Sequence, residues 1–306
     1  SLKKDKFIVA VSGGPDSLAL AALAKIYEYE KKIKVYYVMV NHGIRKNSAK
    51  EALQVKKLLK RFNISLNILN NKEKIKTNVQ SKARMARYKL LLKFGELKKI
   101  KYILTGHHSD DQIETFLIRL SRGSGVQGLS SMKARSKISK KTYLIRPLLE
   151  QKKNDLIFIA KDTFGKIFND PSNKNKKYLR TRIRSLKTVL EKSGINHEQI
   201  MKSISNLAST NNTLDNYVDK SYSVNVKKKK NEIVINFCNI LLETDEIQIR
   251  ILSKVIKVLS KSYYPPRTTK IFNLIKGLKI MSQKRFTLGK CVIERSGKYV
   301  TFKKEA

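Results

Sequence analysis

The stretch FIVAVSGGPDSLALAAL, residues 7–23, constrains this chain more than any other. An apolar run suited to a buried strand stops at two glycines, a proline and an aspartate, then resumes as a helix. Gly13 and Gly14 let the backbone bend and approach a ligand closely. Pro15 suits the first helical position, where its missing N–H has no partner to lose. A helix that starts directly after a strand offers unpaired N–H groups and a positive dipole end to an anion. Ser12 and Ser17 add hydroxyl donors. The shape is that of a phosphate-binding loop, yet the lysine of the GxxxxGK[ST] pattern is missing. Asp16 stands where it would repel phosphate. Two readings fit: Mg²⁺ bridges the carboxylate and phosphate oxygens, or Asp16 complements the helix dipole while Ser17 stabilises the first turn.

The segments that follow keep the same rhythm. KFIVAV, IKVYYVMVN, ISLNIL and KYILTG read as strands. DSLALAALAKIYEYE, SAKEALQVKKLLKRF, NVQSKARMARYKLLLKFGEL and DDQIETFLIRLSR read as the helices after them. Strands alternating with helices predict an α/β fold, a parallel sheet with helices on both faces. Ligands of such sheets bind beyond the carboxyl ends of the strands. The polar motifs SGGPDS, VNHGIRKNSAKE and TGHHSDDQIET all begin there.

Past a polar loop, NDPSNKNKK, the helix YLRTRIRSLKTVLEKSG is strongly basic. Residues 195–220 read as a long linker helix. SYSVNVKKKKNEIVINF then reads as two strands around a lysine turn, and RFTLGKCVIERSGKYVTF as strands turning at Gly289 and Gly297. The expected division is a catalytic domain over 1–194, the linker over 195–220 and a small α+β domain over 221–306. A chain of 306 residues accommodates two domains.

Composition narrows the partners. The net charge is +42, with 51 Lys and 15 Arg against 24 acids. Such a field attracts polyanions, with nucleic acid foremost. Against the lysine background the arginines cluster: Arg84 with Arg87, Arg119 with Arg122, and Arg180, Arg182 and Arg184. Their planar forks suit phosphate. No apolar run reaches the ~18 residues of a membrane span, and the N-terminus does not read as a signal peptide. Cys238 and Cys291 lie far apart without metal-binding spacing, which fits a reducing cytosol.

In so basic a chain the acids Asp110, Asp111 and Glu114 stand out. Asp111 and Glu114, three apart on a helix, share a face. The plainer reading is a helix start, with Ser109 as cap and Gln112 completing a capping box. His107 and His108 read as pocket walls or hydrogen-bond donors. His42, past the second strand, lies where adenine or ribose could sit. Arg84 and Arg87 could reach phosphate or cover apolar surface with their stems.

SGGPDS resembles the PP-loop of the N-type ATP pyrophosphatases, which split ATP between the α and β phosphates and transfer AMP to an oxygen. With VNHGIRKNSAKE, NVQSKARMARY, TGHHSDDQIETFLIRLSRGSGVQGL, IRPLL and NDPSNKNKKYLRTRIR in that order, residues 7–190 closely resemble the tRNA(Ile)-lysidine synthetase family. The resemblance implies adenylation of the wobble cytidine of a CAU-anticodon isoleucine tRNA, then attack by free L-lysine. It puts ATP on Ser12, Gly13, Gly14, Pro15, Asp16, Ser17, His42 and Gly106, with Mg²⁺ on Asp16. Asp111 and Glu114 would grip the lysine. Arg84 and Arg182 would join Asp16, Asp111 and Glu114 in catalysis, and Arg119, Arg122, Arg180 and Arg184 would meet the tRNA. The family admits a homodimer in the cytoplasm. Gln80 stands where its members often carry Glu, and no role is assigned to it. A tRNA thiolation enzyme of the same superfamily is the alternative, but residues 1–190 hold no cysteine for its chemistry.

Overall fold

The computed structural model describes residues 6–44, 47–73, 77, 79–168, 179–262, 265–280 and 285–305, with the side chains of Gln80 and Thr188 excepted. The polar loop NDPSNKNKK, and Arg45 and Lys46, lie outside them. The chain divides into two compact units at 208/209.

Unit 1 opens with β1 (Phe7–Val11), α1 (Pro15–Lys31), β2 (Val35–Asn41), α2 (Ser48–Lys60), β3 (Leu66–Asn70), α3 (Val79–Leu97), β4 (Tyr102–Leu104) and α4 (Ser109–Leu120). A short α5 (Val126–Leu129), β5 (Arg135–Lys137), β6 (Tyr143–Ile145), α6 (Lys153–Phe164) and α7 (Leu179–Lys192) follow. The strands form one sheet in the order β3-β2-β1-β4-β6-β5. All neighbours run parallel except the edge pair β5–β6. Helices cover both faces, as the alternation demands. Phe7, Val9 and Val11 of β1 point into a core shared with Leu18 and Leu20 of α1, Val55 and Leu59 of α2 and Leu156 and Ala160 of α6. Ile8 points the other way, into a core with Val38, Ile103, Leu144 and Leu91 of α3. Each fully buried Leu or Ile contributes roughly 2 kcal/mol. The sequence reading missed β5 and β6, three residues each, because so short a run in a lysine-rich segment shows no period.

The next helix, α8 (His197–Asn225), is unbroken, and the boundary between the units falls within it. It runs on through SYSVN, which the sequence reading gave to a strand. Unit 2 holds its last turns, then β7 (Val226–Lys228), β8 (Glu232–Asn236), α9 (Phe237–Leu241), α10 (Asp245–Ser260), α11 (Thr268–Lys279), β9 (Arg285–Thr287), β10 (Cys291–Ser296) and β11 (Tyr299–Lys304). Its sheet is antiparallel, ordered β7-β8-β11-β10-β9. Ile233, Ile235, Ile293, Val300 and Phe302 pack one face against Ile251, Val255, Ile271 and Leu278. Buried Arg250 fastens α8 to α10 inside this unit: its guanidinium donates to Asn211 Oδ1 and Asp215 Oδ1, both at 2.9 Å, and to Glu246 Oε1 at 2.7 Å.

Candidate active site

The loop between β1 and α1 is tied by one hydroxyl. Ser17 Oγ accepts from Ser12 N at 3.0 Å and from Ser12 Oγ at 3.1 Å, and donates to Gly14 O at 3.0 Å. Gly13 takes φ +86°, and a Cβ there would lie 2.7 Å from Val55. Both facts require glycine. Gly106 is required for a different reason: a Cβ on it would lie 2.6 Å from the carbonyl oxygen of Asp16. The end of β4 thus touches the first turn of α1 backbone to backbone. This contact brings the second polar motif, residues 105–114, against the first.

The sequence expected Ser109 to cap α4. The cap is one residue earlier, at His108, whose main-chain N–H donates to Asp111 Oδ2 at 3.2 Å. Ser109 is buried instead, donating its hydroxyl to Gln151 O at 2.8 Å. Gln112 is no capping partner either; its amide bridges both main-chain groups of Met132. With Ser109 facing inward, the imidazole of His108 is driven into the acids. Nε2 lies 3.6 Å from both Asp16 Oδ2 and Asp111 Oδ2, and Nδ1 lies 3.6 Å from Asp110 Oδ2. Burial alone would lower the His108 pKa. The close carboxylates of Asp110, Asp16 and Asp111 override it and raise it to about 10. The nearby His108 ring and Lys187 hold the Asp110 carboxyl well below the usual carboxylate range.

Glu114 is buried on the same helix and receives the Arg184 guanidinium through Nε, and through Nη2 at 3.3 Å. Lys187 Nζ lies 3.1 Å from Asp110 Oδ1. The helix α7 therefore lays two cations across the acids of α4. Arg184, expected at the RNA, faces Glu114, and burial's pull on it is overcome by Glu114, with Asp111 and Asp16 adding to the rise in its pKa.

Cations gather on the other side of β4. His107 Nδ1 lies 2.8 Å from Thr105 Oγ1. Burial, then the charges of Arg146, Arg84, Arg180 and Arg87, push its pKa down to about 3. His42 is lowered to about 4 by burial and by Arg87, and both its ring nitrogens are buried with no hydrogen-bond partner among the described residues. Arg146, the arginine of IRPLL, carries no sequence signal of its place. It is buried and donates to Lys133 O at 2.6 Å and Ser136 Oγ at 3.0 Å.

Not all the predicted residues converge. Arg119 turns inward and donates to Gly128 O at 2.6 Å and Ser131 O at 3.0 Å, so it braces the turn after α5 rather than lying open to RNA. Arg122 and Arg182 are exposed. The site thus has a phosphate loop with an anionic half around His108 and a cationic half around His107. Asp16 Oδ1 is buried without a hydrogen-bond donor among the described residues, which fits a divalent cation shared with phosphate oxygens. No group of three His, Cys, Asp or Glu able to hold a metal unaided occurs among the described residues.

A PP-loop domain family matches residues 1–190. The tRNA(Ile)-lysidine synthase of Wolbachia pipientis wMel is 35% identical over 97% of this chain and 70% of its own length. The enzyme of the same name from the Wolbachia of Brugia malayi is 32% identical over 99% and 71%, and that of Rhodopseudomonas palustris 33% identical over 91% and 81%. Among solved structures, the U34-tRNA thiolase NcsA from Methanococcus maripaludis, with its [4Fe-4S] cluster, superposes with a TM-score of 0.56 at 22% identity, covering 67% of this chain and 72% of that one. That likeness is one of fold.

Proposed function

Because the chain belongs to the tRNA(Ile)-lysidine synthase family, we propose that it activates the wobble cytidine of a CAU-anticodon isoleucine tRNA with ATP and joins it to free L-lysine. The observation that carries this reading is the pairing of a lysine-free phosphate loop with two half-sites of opposite charge. A ring carbonyl oxygen is a poor leaving group, and esterifying it with AMP makes it a good one. ATP lies with its departing pyrophosphate on residues 12–17. Ser12, Ser17 and the first N–H groups of α1 take its oxygens. Mg²⁺ held by Asp16 would neutralise phosphate charge there. Arg84, Arg87, Arg146 and Arg180, which together depress His107, face the charge that develops on the α phosphate. Arg182 follows Arg180 by two residues on α7 and stays exposed. His107, kept neutral, adds no fifth cation.

The second step needs a place for a cationic amino acid. Asp111 and Glu114 supply it on the other side of β4, where the carboxylates attract an ammonium group. Since Arg184 holds Glu114, the incoming amine shares that acid with the guanidinium or displaces it. The separation of charges keeps triphosphate and lysine from exchanging places. A thiolation reading has no support in this chain, whose two cysteines, exposed Cys238 and buried Cys291, both lie in unit 2.

We also assign residues 221–306 to tRNA binding, with Arg122 and the exposed face of α7 contributing. A homodimer in the cytoplasm belongs to the same reading; no described helix is long and apolar enough to cross a membrane. Mass spectrometry of the tRNA after reaction with ATP and lysine tests the proposal. The wobble cytidine gains one lysine less one water. An unmodified cytidine, or one that gains sulfur, overturns it.

A further inference from the structure

The sheet of unit 1 has two poles, and the site occupies only the one where the parallel strands end. At the opposite pole, where they start, exposed Lys6, Lys34 and Lys101 lead into β1, β2 and β4. Exposed Lys137, Lys140 and Lys141 form the β5–β6 hairpin there, since Lys137 pairs with Tyr143 at the start of β6. The last turns of α1, α2 and α3 and the residues just after them bring seven more exposed cations to this pole, from Lys31 to Lys99. The acids nearby are Glu28, Glu30, Glu96 and, at the end of α6, Asp162, and Glu28 is already engaged by Lys25 and by the main chain of Val35. None of the thirteen cations forms an ion pair with another described residue.

Helix dipoles account for half of this. Cations at helix C-termini are stabilising, so those after α1, α2 and α3 need no ligand. The dipole does not extend to the strand starts or the hairpin. There six ammonium groups crowd one surface and repel one another. Lysine-rich composition alone would interleave them with acids, as along α6, where exposed Asp155 and Asp162 alternate with Lys153 and Lys161. An unpaired cluster of one sign is the footprint of a polyanion.

Resting on the reaction proposed above, we infer that this strand-start pole is a second RNA-contacting surface, one that takes the phosphodiester backbone of the same tRNA outside its anticodon loop. β1 spans five residues, so the poles stand at least ~17 Å apart at ~3.3 Å per residue. A wobble base seated at the strand ends leaves the pole to the body of the RNA, running down the flank of the unit.

The test uses the full chain and a CAU-anticodon tRNA transcript. Lys34→Gln, Lys101→Gln and Lys141→Gln are combined in one variant. A charge-matched control combines Lys56→Gln, Lys93→Gln and Lys202→Gln, exposed on α2, α3 and α8 before their last turns. Each lost phosphate contact flattens the plot of log affinity against log salt by ~0.7–0.9. The pole variant should therefore lose about 2 from that slope and bind about tenfold more weakly in 0.1 M salt. The control should stay within about threefold, and turnover at saturating tRNA should be unchanged in both. Equal weakening in both variants, or none in the pole variant, overturns the inference. So does loss of binding to phosphatidylserine vesicles with tRNA affinity intact, which would assign the pole to a membrane. If the unsubstituted enzyme leaves the cytidine unmodified, the proposed reaction fails instead; the binding comparison still decides the pole.

Discussion

His107 and His108 are neighbours in the chain and opposites in charge. One is pushed down to about 3 and the other up to about 10. Both leave the same strand end, and both are buried enough for desolvation to favour the neutral ring. What separates them is direction. The backbone turns into α4 between them, sending His108 into three carboxylates and leaving His107 among four arginines. A strand-to-helix junction can thus divide one cleft into two fields only a residue apart. On the reaction proposed above, a ligand of each sign then has its own place, the triphosphate near His107 and the amino acid near the acids around His108.

The strongest way to break this comparison is at the acid that joins the glycine loop to His108. Asp16→Asn keeps the shape of the loop and removes the charge proposed to hold a cation beside phosphate. Pyrophosphate release should fall by about 10²–10³, the scale of losing one electrostatic stabiliser. A loss below tenfold would mean that Asp16 only complements the helix dipole.

Next comes pH. His108 has a folded pKa above its unfolded value, so its stabilising contribution is complete below about 6.5 and is lost as pH rises toward about 10. His107 behaves oppositely: with a depressed folded pKa, protonating it opposes folding, so stability is lost as pH falls below 6.5 toward about 3. Metal-free protein should then lose on the order of 3 kcal/mol between pH 7 and 10 in urea titrations. His108→Gln should flatten that limb and leave the acid limb in place. Parallel curves for the two proteins would remove the imidazolium from the acid cluster.

Substrate selectivity sharpens the contrast further. Glu114→Gln should raise the KM for lysine by roughly ten- to fiftyfold, the cost of weakening a charge-assisted contact. ATP affinity should stay within about twofold, because the cationic half is untouched. Equal loss of ATP binding would merge the two halves into one site. A smaller effect is expected from Arg87→Gln. This removes one of four cations near His107 and the one that lowers His42. In histidine-labelled NMR titrations both should rise by about half a unit, with burial still holding them down. His108, whose partners are acids, should not move.

These two fields were unequally legible in the sequence. The loop was readable because its demands are local: Gly13, Gly14 and Pro15 fix a backbone bend whatever surrounds it. The acids were readable because they are scarce in a chain of net +42. The cationic half was only half visible. Arg146 is placed by the β5–β6 hairpin, through Lys133 O and Ser136, and strands of three residues leave no periodic trace. Arg180, Arg182 and Arg184 looked like one cluster. At 3.6 residues per turn the middle one points away from the other two, and of the three only Arg184 is half-buried. The cap was missed by one residue because serine is the usual choice and histidine is not. That single shift turns His108 inward, and the anionic half depends on it.

The smallest effect belongs to His42, and it separates a ligand contact from a structural one. Its two ring nitrogens are buried without partners among the described residues, at a cost that a structural histidine would have offset by bonding to its surroundings. An apolar side chain of similar size removes that cost. His42→Leu should therefore leave the melting temperature unchanged or raise it slightly. If the ring instead meets the base or ribose of ATP, nucleotide affinity should fall by about three- to tenfold, the worth of one neutral hydrogen bond. Calorimetry with and without ATP reads both quantities on one sample. A protein that melts lower while binding ATP as before would make His42 a packing residue, and the nucleoside would then lie against Arg84 and Arg87 alone.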